Sequence, residues 1–284
     1  MMHKLSTGRK IYTKLMQILM SAAAFTVIAL LIGIVGYIIF RGVPNVTLKL
    51  ITSKPSLLRN IDGILPNMLN TVYIVLITLV FVLPIGVGSA IYLTEYAKNK
   101  KIVRIVELAA ETLSGIPSII YGLVGLLIFV EFFGLGTSIL AGSFTLVIMT
   151  LPTVIRTTEE SLKTVPNSYR EGSLALGSGK WHMIRTVVIP SAVDGIITGC
   201  ILSIGRIVGE SAALLFTAGM ANEILGIKEA LSAGNPGSTL TVALYMYAKE
   251  RGEFDVAFAI AFILLALTCI INTVAHLAAK KFRK

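Results

Sequence analysis

Six apolar runs of membrane-spanning length constrain the fold of this chain more than any other feature of its sequence. A bilayer core is crossed by about 20 helical residues, each rising about 1.5 Å. Open strands are excluded there, because lipid offers no partner for backbone N–H and C=O groups. The sequence therefore predicts an all-α integral membrane protein with about six transmembrane helices. The runs lie at about 16–40, 68–93, 112–133, 136–155, 191–217 and 255–277.

The composition excludes a soluble protein. Only 14% of the residues are charged and the mean hydropathy is +0.84, whereas a soluble domain has about 25% charged residues. The first apolar run is longer than that of an export signal, so it is interpreted as a retained helix. We expect residues 1–67 to form an N-terminal membrane anchor helix and external loop, and residues 68–284 to form the main transmembrane domain.

The distribution of positive charge predicts the orientation in the membrane. The positive-inside rule places both termini and the loops at 94–110 and 156–190 in the cytoplasm. We expect a multi-pass protein of the cell (plasma or inner) membrane. This bias explains the net charge of +10, which is therefore no evidence for nucleic-acid binding. Most of the Lys and Arg residues lie in the stretches 1–14, including Lys4, 98–104, 156–185 and 280–284, including Arg283 and Lys284.

The sequence indicates neither a catalytic site nor a metal site. Cys200 and Cys269 lie in apolar spans, without a second thiol or a histidine at ligand spacing. Free cysteines of this kind behave as small hydrophobic residues, although a disulfide or a metal site is an alternative. No phosphate-binding loop G-x-x-x-x-G-K-[ST] occurs, since the nearest match, Gly177-Ser178-Gly179-Lys180, is followed by Trp181.

A short polar interruption at 158–190 separates the fourth and fifth runs. Pro166 is suited to the first turn of a helix and Gly177 to the position after its end. Ser178 can cap a second short helix, which Pro190 then stops before the fifth span. Helices this short are marginal in water, so we expect the resulting compact structure to need a partner surface. The alternative is an amphipathic hairpin lying on lipid headgroups, with Trp181 as its interfacial anchor.

This interruption resembles the EAA loop of binding-protein-dependent ABC importer permeases. The family motif is Glu-Ala-Ala, three residues, Gly, nine residues, Ile, one residue, Leu-Pro. The chain has the Glu, the Gly and the Pro at these spacings, and small or apolar residues at the other positions. The resemblance implies a type I ABC importer permease fold with a cytoplasmic coupling helix. The coupling residues would be Glu171, Gly172, Ser173, Gly177 and Pro190, with Glu171 hydrogen-bonding at the docking surface and Gly177 making the turn.

The same resemblance implies the partners. They are a second homologous permease, a dimer of ATPase subunits and an extracytoplasmic substrate-binding protein. The chain itself would be surrounded by membrane lipid. ATP and Mg would be used by the ATPase, so this chain would bind no cofactor and would not itself be an enzyme. In the long external loop, the segment 239–248 is either a helix onto which the binding protein docks or a plain connector.

The fifth run contains charge within the membrane. Arg206 lies roughly 24 Å above Pro190, at or beyond the midplane, and each buried charge costs about 2.5–3.5 kcal/mol on insertion scales. Arg206 and Glu210 are four residues apart, so a helix would place them on one face, where they can neutralise each other. Either this pair fixes packing against a second permease, or Arg206 offers positive charge to an anion on its path. Arg156 is either an interfacial anchor or an exit-side contact for the anion.

Glycine pairs on this run suggest close helix packing. Gly195 and Gly199, like Gly205 and Gly209, have the G-x-x-x-G spacing that lets a second helix approach closely. In the third run, the Gly115–Ser118 step interrupts the apolar pattern and is either a packing kink or backbone exposed to a pathway.

The string from Gly205 to Thr217 resembles the fifth-helix signature of the A-type permeases of phosphate importers. That signature is close to G-R-x-x-G-E-[ST]-A-P-L-L-F-T, and Ala213 stands here in place of the proline. The resemblance implies inorganic phosphate as the substrate, with a phosphate-binding protein as partner and Arg206, Glu210 and Arg156 as candidates for the translocation path. The chemistry of a guanidinium suits sulfate or molybdate equally well. A further alternative is an ion-coupled secondary transporter, which would leave the coupling loop without a role.

Overall fold

The computed structural model describes residues 7–56 and 62–282, and Lys4, Arg283 and Lys284 lie outside them. The α-helices are α1 (Thr7–Gly42), α2 (Leu48–Thr52), α3 (Leu65–Ile91), α4 (Lys100–Ser114), α5 (Ser118–Gly125), α6 (Ile139–Thr164), α7 (Asn167–Ala175), α8 (Lys180–Met183), α9 (Ile189–Val208), α10 (Ala212–Thr217), α11 (Ile227–Ala230), α12 (Leu240–Tyr245) and α13 (Phe254–Phe282). A 3₁₀ turn follows α1 at Val43–Asn45. Segments of π-helix follow α3 (Tyr92–Tyr96), α5 (Leu126–Phe132) and α12 (Met246–Glu250), and another joins α8 to α9 (Ile184–Val188).

Five continuous helical stretches among the described residues are long and apolar enough to cross a membrane, and a bent pair provides the sixth candidate. The predicted all-α membrane fold is therefore confirmed. The five stretches are Gly8–Asn45, Leu65–Tyr96, Ile139–Thr164, Lys180–Val208 and Phe254–Leu277.

The predicted third span, 112–133, needs correction. The chain turns by 102° between α4 and the stretch Ser118–Phe132. Pro117 disfavours helical geometry at the residue before it, and it starts α5 from an extended conformation. The helix before the bend, α4, is strongly amphipathic, with basic residues in its first turns and no buried residue. It therefore does not form a uniformly apolar run in the sequence.

The interruption between the fourth and fifth spans is shorter than predicted. The helix α6 continues to Thr164, and the next long helix begins at Lys180. Pro190 does not end a helix, because the backbone continues through the π-helical segment Ile184–Val188 into α9. The segment before Pro190 is held in place by burial of Ile184 and Val188 in a cluster with residues of α3 and α6.

The centre of the protein is a packed layer in which α3 and α9 both lie along α6. Its core is built from apolar side chains of these helices and of α5 and α10, among them Ile74, Leu146, Met149, Ile207 and Leu214. Outside this layer, α1 packs mainly on α13, where Tyr37 meets Phe258 edge to face. The window of α1 that could span a membrane has no buried residue, so its surface is left for lipid or a partner.

Close contact between α6 and α9 depends on two glycines. A Cβ atom at Gly195 would overlap Ser161, and one at Gly199 would overlap Thr157. This confirms the predicted close approach for that pair. In contrast, Gly205 has no atom within 4 Å of its Cβ position, and Gly209 meets only the carbonyl of Gly205.

Substituting Gly199 by Ala is expected to destabilise the protein. The added methyl group forces α6 and α9 apart, and such overpacking costs about 1–3 kcal/mol. The matched variant Gly205→Ala adds the same group in open space on the same helix, where Ala is the better helix former. Thermal unfolding in detergent should show a lower midpoint for Gly199→Ala and an unchanged or higher one for Gly205→Ala. Equal midpoints would show that the close packing does not contribute to stability.

Candidate functional site

The segment between α6 and α8 projects a short helix away from the rest of the chain. No residue of α7 is buried. Glu171 and Gly172 are exposed, and within the described part of the chain the Glu171 carboxylate has no hydrogen bond or ion pair. A carboxylate with free acceptor sites beside exposed apolar side chains is suited to bind another protein. The exposed apolar residues are Tyr169, Leu174 and Leu176, the last of which is 91% exposed.

A tight turn at Gly177 ends α7. Gly177 has a φ of 82°, a left-handed conformation that is costly for residues with a Cβ. Its N–H donates to the carbonyl of Leu174 (2.9 Å), and the N–H of Ser178 donates to that of Ser173 (3.3 Å). These are the two bonds of the Schellman motif. The predicted turn is therefore present, while its part in docking stays a prediction.

Ser178 does not cap the second helix as predicted. The residue preceding α8 is Gly179, and no side chain caps that helix. The Ser178 hydroxyl instead donates to the carbonyl of Ser173 (2.8 Å) and lies 2.7 Å from the Ser173 hydroxyl. Both serines therefore reinforce the turn. A groove of about 660 Å³ lies between α7 and α8 and is lined by residues that include Gly172, Ser173, Gly177, His182 and Thr186.

The base of α7 is attached to two transmembrane helices by Arg170. Its Nε and Nη2 atoms lie 3.0 and 2.8 Å from Oε1 of Glu95, at the end of the Leu65–Tyr96 stretch. It also donates to the carbonyl oxygens of Leu162 and Val165 at the end of α6. Sequence reasoning missed this contact. The available signal was Glu95 itself, because a carboxylate at the end of an apolar run needs a partner if it is buried.

Arg206 lies half-buried near the end of α9. Its Nη1 atom donates to Oγ1 of Thr153 on α6 at 3.4 Å, which is its only hydrogen bond to the described residues. No carboxylate oxygen of the described part of the chain lies within 4.0 Å of this guanidinium. A guanidinium has five N–H donors, so most of them remain available to an anion.

The predicted ion pair between Arg206 and Glu210 is absent. The helix α9 ends at Val208, and the chain leaves the helix at Gly209, which removes the four-residue spacing that would place both charges on one face. The buried Glu210 carboxylate instead accepts a hydrogen bond from the N–H of Ala213 at 3.0 Å. The backbone carbonyl of Glu210 accepts a hydrogen bond from the hydroxyl of Thr241 at 2.7 Å. Glu210 therefore stabilises the break between α9 and α10 and connects it to α12.

Arg156 lies among carboxylates. It is exposed and contacts Glu111 on α4 (3.7 Å) and Glu160 on its own helix (3.2 Å). The groove of about 240 Å³ between α4 and α6 also contains Glu107, Glu159 and Lys163. With more carboxylates than cations, this groove is unsuited to an anion. The geometry favours Arg156 as a link between α4 and α6.

The structure offers no metal centre within residues 7–56 and 62–282. Both cysteines are free, with Cys200 half-buried and Cys269 exposed. At the opposite end of the bundle, the segment predicted as a helix at 239–248 forms α12 and its π-helical extension. Its start is fixed to α3, because the N–H of Leu240 donates to Oγ1 of Thr71 at 2.9 Å.

Comparison with known proteins gives concordant matches. Residues 82–284 match the family model described as binding-protein-dependent transport system inner membrane component. The chain is 39% identical to the probable ABC transporter permease protein YqgI of Bacillus subtilis, over 84% of each chain. It is 32% identical to the phosphate transport system permease protein PstA of Pasteurella multocida, over 85% of this chain and 84% of that one. The corresponding protein of Haemophilus influenzae is 33% identical over the same shares.

Two solved structures share the fold. A bacterial alginate ABC transporter, in complex with an alginate pentasaccharide-bound periplasmic protein, matches with a TM-score of 0.68 at 13% identity, over 97% of this chain and 96% of that one. The inward-facing MetNI methionine ABC transporter matches with a TM-score of 0.59 at 19% identity, over 78% of this chain and 95% of that one.

Proposed function

The chain belongs to the family of binding-protein-dependent transport system inner membrane components, and on this premise we propose that it is the permease subunit of an ATP-driven importer of inorganic phosphate. Permeases of this family are non-catalytic, multi-pass membrane proteins. Relatives that are 32% and 33% identical over most of the chain are phosphate transport system permease proteins.

The half-buried Arg206 is the observation that best supports an anionic substrate. Its guanidinium has one weak hydrogen bond, to Thr153, and no carboxylate within 4.0 Å among the described residues. An uncompensated charge inside a membrane protein is costly, and such residues usually mark a substrate path. The planar fork of donors matches two oxygens of a phosphate. Glu210 would shape this part of the path indirectly, through the helix break that it stabilises.

The projecting α7 is the proposed coupling helix. Glu171, Gly172, Ser173 and Gly177 would bind a separate ATPase subunit, with Leu174 and Leu176 covered on docking. ATP and Mg would be bound by that subunit and not by this chain. Pro190 lies within the helix that continues from α8 into α9, so its contribution would be to the shape of that helix.

The remaining features of the complex follow from this role. The translocation path would lie between this chain and a second homologous permease, with a dimer of ATPase subunits below and a phosphate-binding protein outside. Both termini and α7 would lie in the cytoplasm, as the distribution of basic residues indicates under the positive-inside rule. Residues 1–67 would form an added anchor helix and external loop beside the domain at 68–284.

The proposed function is tested by the uptake of labelled phosphate into vesicles that contain this chain and its partner subunits, with and without internal ATP. Uptake that requires both ATP and the ATPase subunit is the expected result. ATP-driven uptake of sulfate or molybdate instead would change the substrate and retain the mechanism. Phosphate uptake without ATP would contradict the importer assignment and favour an ion-coupled transporter.

A further inference from the structure

All the hydrogen-bond donors of Arg170 are matched by acceptors. The guanidinium has five N–H groups. Nε donates to Glu95 (3.0 Å), Nη2 donates to Glu95 (2.8 Å) and to the carbonyl of Leu162 (2.9 Å), and Nη1 donates to the carbonyl of Val165 (2.6 Å) and to Oδ1 of Asn167 (3.5 Å). The side chain of Arg170 is only 16% exposed and that of Glu95 only 6%. The two charged side chains are therefore largely shielded from solvent, on the cytoplasmic side of the proposed topology.

These contacts join three elements, of which the element that contains Glu95 lies 75 residues from Arg170 in sequence. Arg170 belongs to α7, Glu95 ends the Leu65–Tyr96 stretch, and the carbonyls of Leu162 and Val165 lie at the end of α6, where the helix dipole is negative. Since no residue of α7 is buried in the chain itself, apolar packing holds this helix weakly. The helix α7 is also connected by the chain to α6 and α8 and contacts the segment Ile184–Val188, whereas Arg170 provides its ion pair to the end of the Leu65–Tyr96 stretch.

We propose that the Arg170–Glu95 ion pair is the link through which movement of α7 is transmitted to the transmembrane helices, with Arg170 and Glu95 as positioning residues for transport. The inference rests on the proposed function. Charge-assisted hydrogen bonds are short and directional, so displacement of α7 displaces both α3 and α6. The helix α6 then continues without a break to Thr153, which contacts Arg206. The link thus joins the ATPase-binding surface to the proposed anion site.

A substitution of Arg170 by Lys separates charge from geometry. Lysine retains the positive charge but carries its three donors on a single nitrogen, so it cannot reproduce the planar arrangement of five donors on three nitrogens that reaches Glu95, Asn167 and both carbonyls. The matched control is Arg185→Lys, which makes the same change at an exposed position that has no hydrogen bond or ion pair to the described residues. The variant Glu95→Gln removes the negative charge of the ion pair. It replaces Arg170→Lys in the experiment if Arg170→Lys does not assemble.

The experiment uses the assembled complex with its ATPase subunits. Hydrogen exchange is measured at residues 87–96 and 167–175, with and without a non-hydrolysable ATP analogue. We expect the nucleotide to change exchange in both segments of the wild type and of Arg185→Lys, but only in 167–175 of Arg170→Lys. The number of phosphates imported per ATP hydrolysed should fall at least about tenfold in Arg170→Lys, with the ATPase subunit still bound.

The outcomes separate the link from the function. A nucleotide-dependent change at 87–96 that persists in Arg170→Lys and Glu95→Gln would overturn the proposed link. So would a wild-type ratio of phosphate to ATP in both variants, since the pair would then only stabilise the fold. A wild-type complex that shows the exchange changes but imports no phosphate would contradict the proposed substrate and leave the link supported.

Discussion

Replacing Arg206 by Gln is expected to lower ATP-driven phosphate uptake at least about 100-fold. The substitution removes the positive charge and the planar fork of donors, and hydrogen bonds to charged groups contribute about 1.5–3 kcal/mol each. Within the described residues, the guanidinium hydrogen-bonds only to Thr153 and has no carboxylate within 4.0 Å. Its loss therefore removes no ion pair that holds the fold together. Uptake of labelled phosphate and co-purification of the ATPase subunit are the two measurements.

The variant Arg206→Lys provides the comparison for charge. It retains the cation without the bidentate geometry, so we expect intermediate uptake and a higher phosphate concentration for half-maximal rate. Normal assembly together with wild-type uptake in Arg206→Gln would show that Arg206 only supports packing against a neighbouring helix. Loss of the ATPase subunit from this variant would likewise contradict a role confined to the path.

Replacing Gly177 by Ala is expected to weaken retention of the ATPase subunit about 5- to 30-fold. A left-handed conformation costs an L-residue about 1–2 kcal/mol, and Gly177 has a φ of 82°. To avoid this strain the Schellman turn must open, which breaks the hydrogen bonds from Gly177 and Ser178 to the end of α7. The docking surface would then lose its shape. The measurement is the dissociation constant of the ATPase subunit for the purified permease.

Gly172→Ala, within α7, is the matched control, because the family's Glu-Ala-Ala motif has Ala at this position of the proposed docking surface. A Cβ atom at Gly172 or at Gly177 meets no atom of the chain within 4 Å. Of these two glycines, only Gly177 has a positive φ. Steric overlap within the chain therefore cannot distinguish the two variants. Ala is also the better helix former by about 1 kcal/mol, so α7 should be unharmed by Gly172→Ala. Equal retention in both variants would show that the Gly177 turn is not needed for docking.

Local chemistry explains the part of this site that was predictable. Gly177 lies in the turn just beyond α7, a helix of nine residues, and the conformational freedom of glycine suits the position after a helix end. Ser178 was misjudged because a hydroxyl can cap the next helix or bond back to the previous one. The nearby hydroxyl of Ser173 and its carbonyl favour the second arrangement here.

The charged residues show where prediction from spacing failed. Arg206 and Glu210 are four residues apart, yet Gly209 ends α9 between them and Glu210 bonds to Ala213 instead. Arg156 was predicted to be an interfacial anchor or an exit-side contact for the anion, whereas Glu111 of α4 lies 3.7 Å from it. In both cases the deciding contact comes from a helix break or a neighbouring helix that the apolar pattern did not reveal.

The sequence by itself determined the membrane class, most of the span positions and the turn after α7, because apolar length and glycine conformation are properties of contiguous residues. The tertiary structure alone decided which charges remain available and which are neutralised. Arg170 meets Glu95 across 75 residues of sequence, and Arg206 meets Thr153 across 53. Such pairings depend on how helices pack and where they bend, and the energy of a buried charge is set by the neighbours that packing provides.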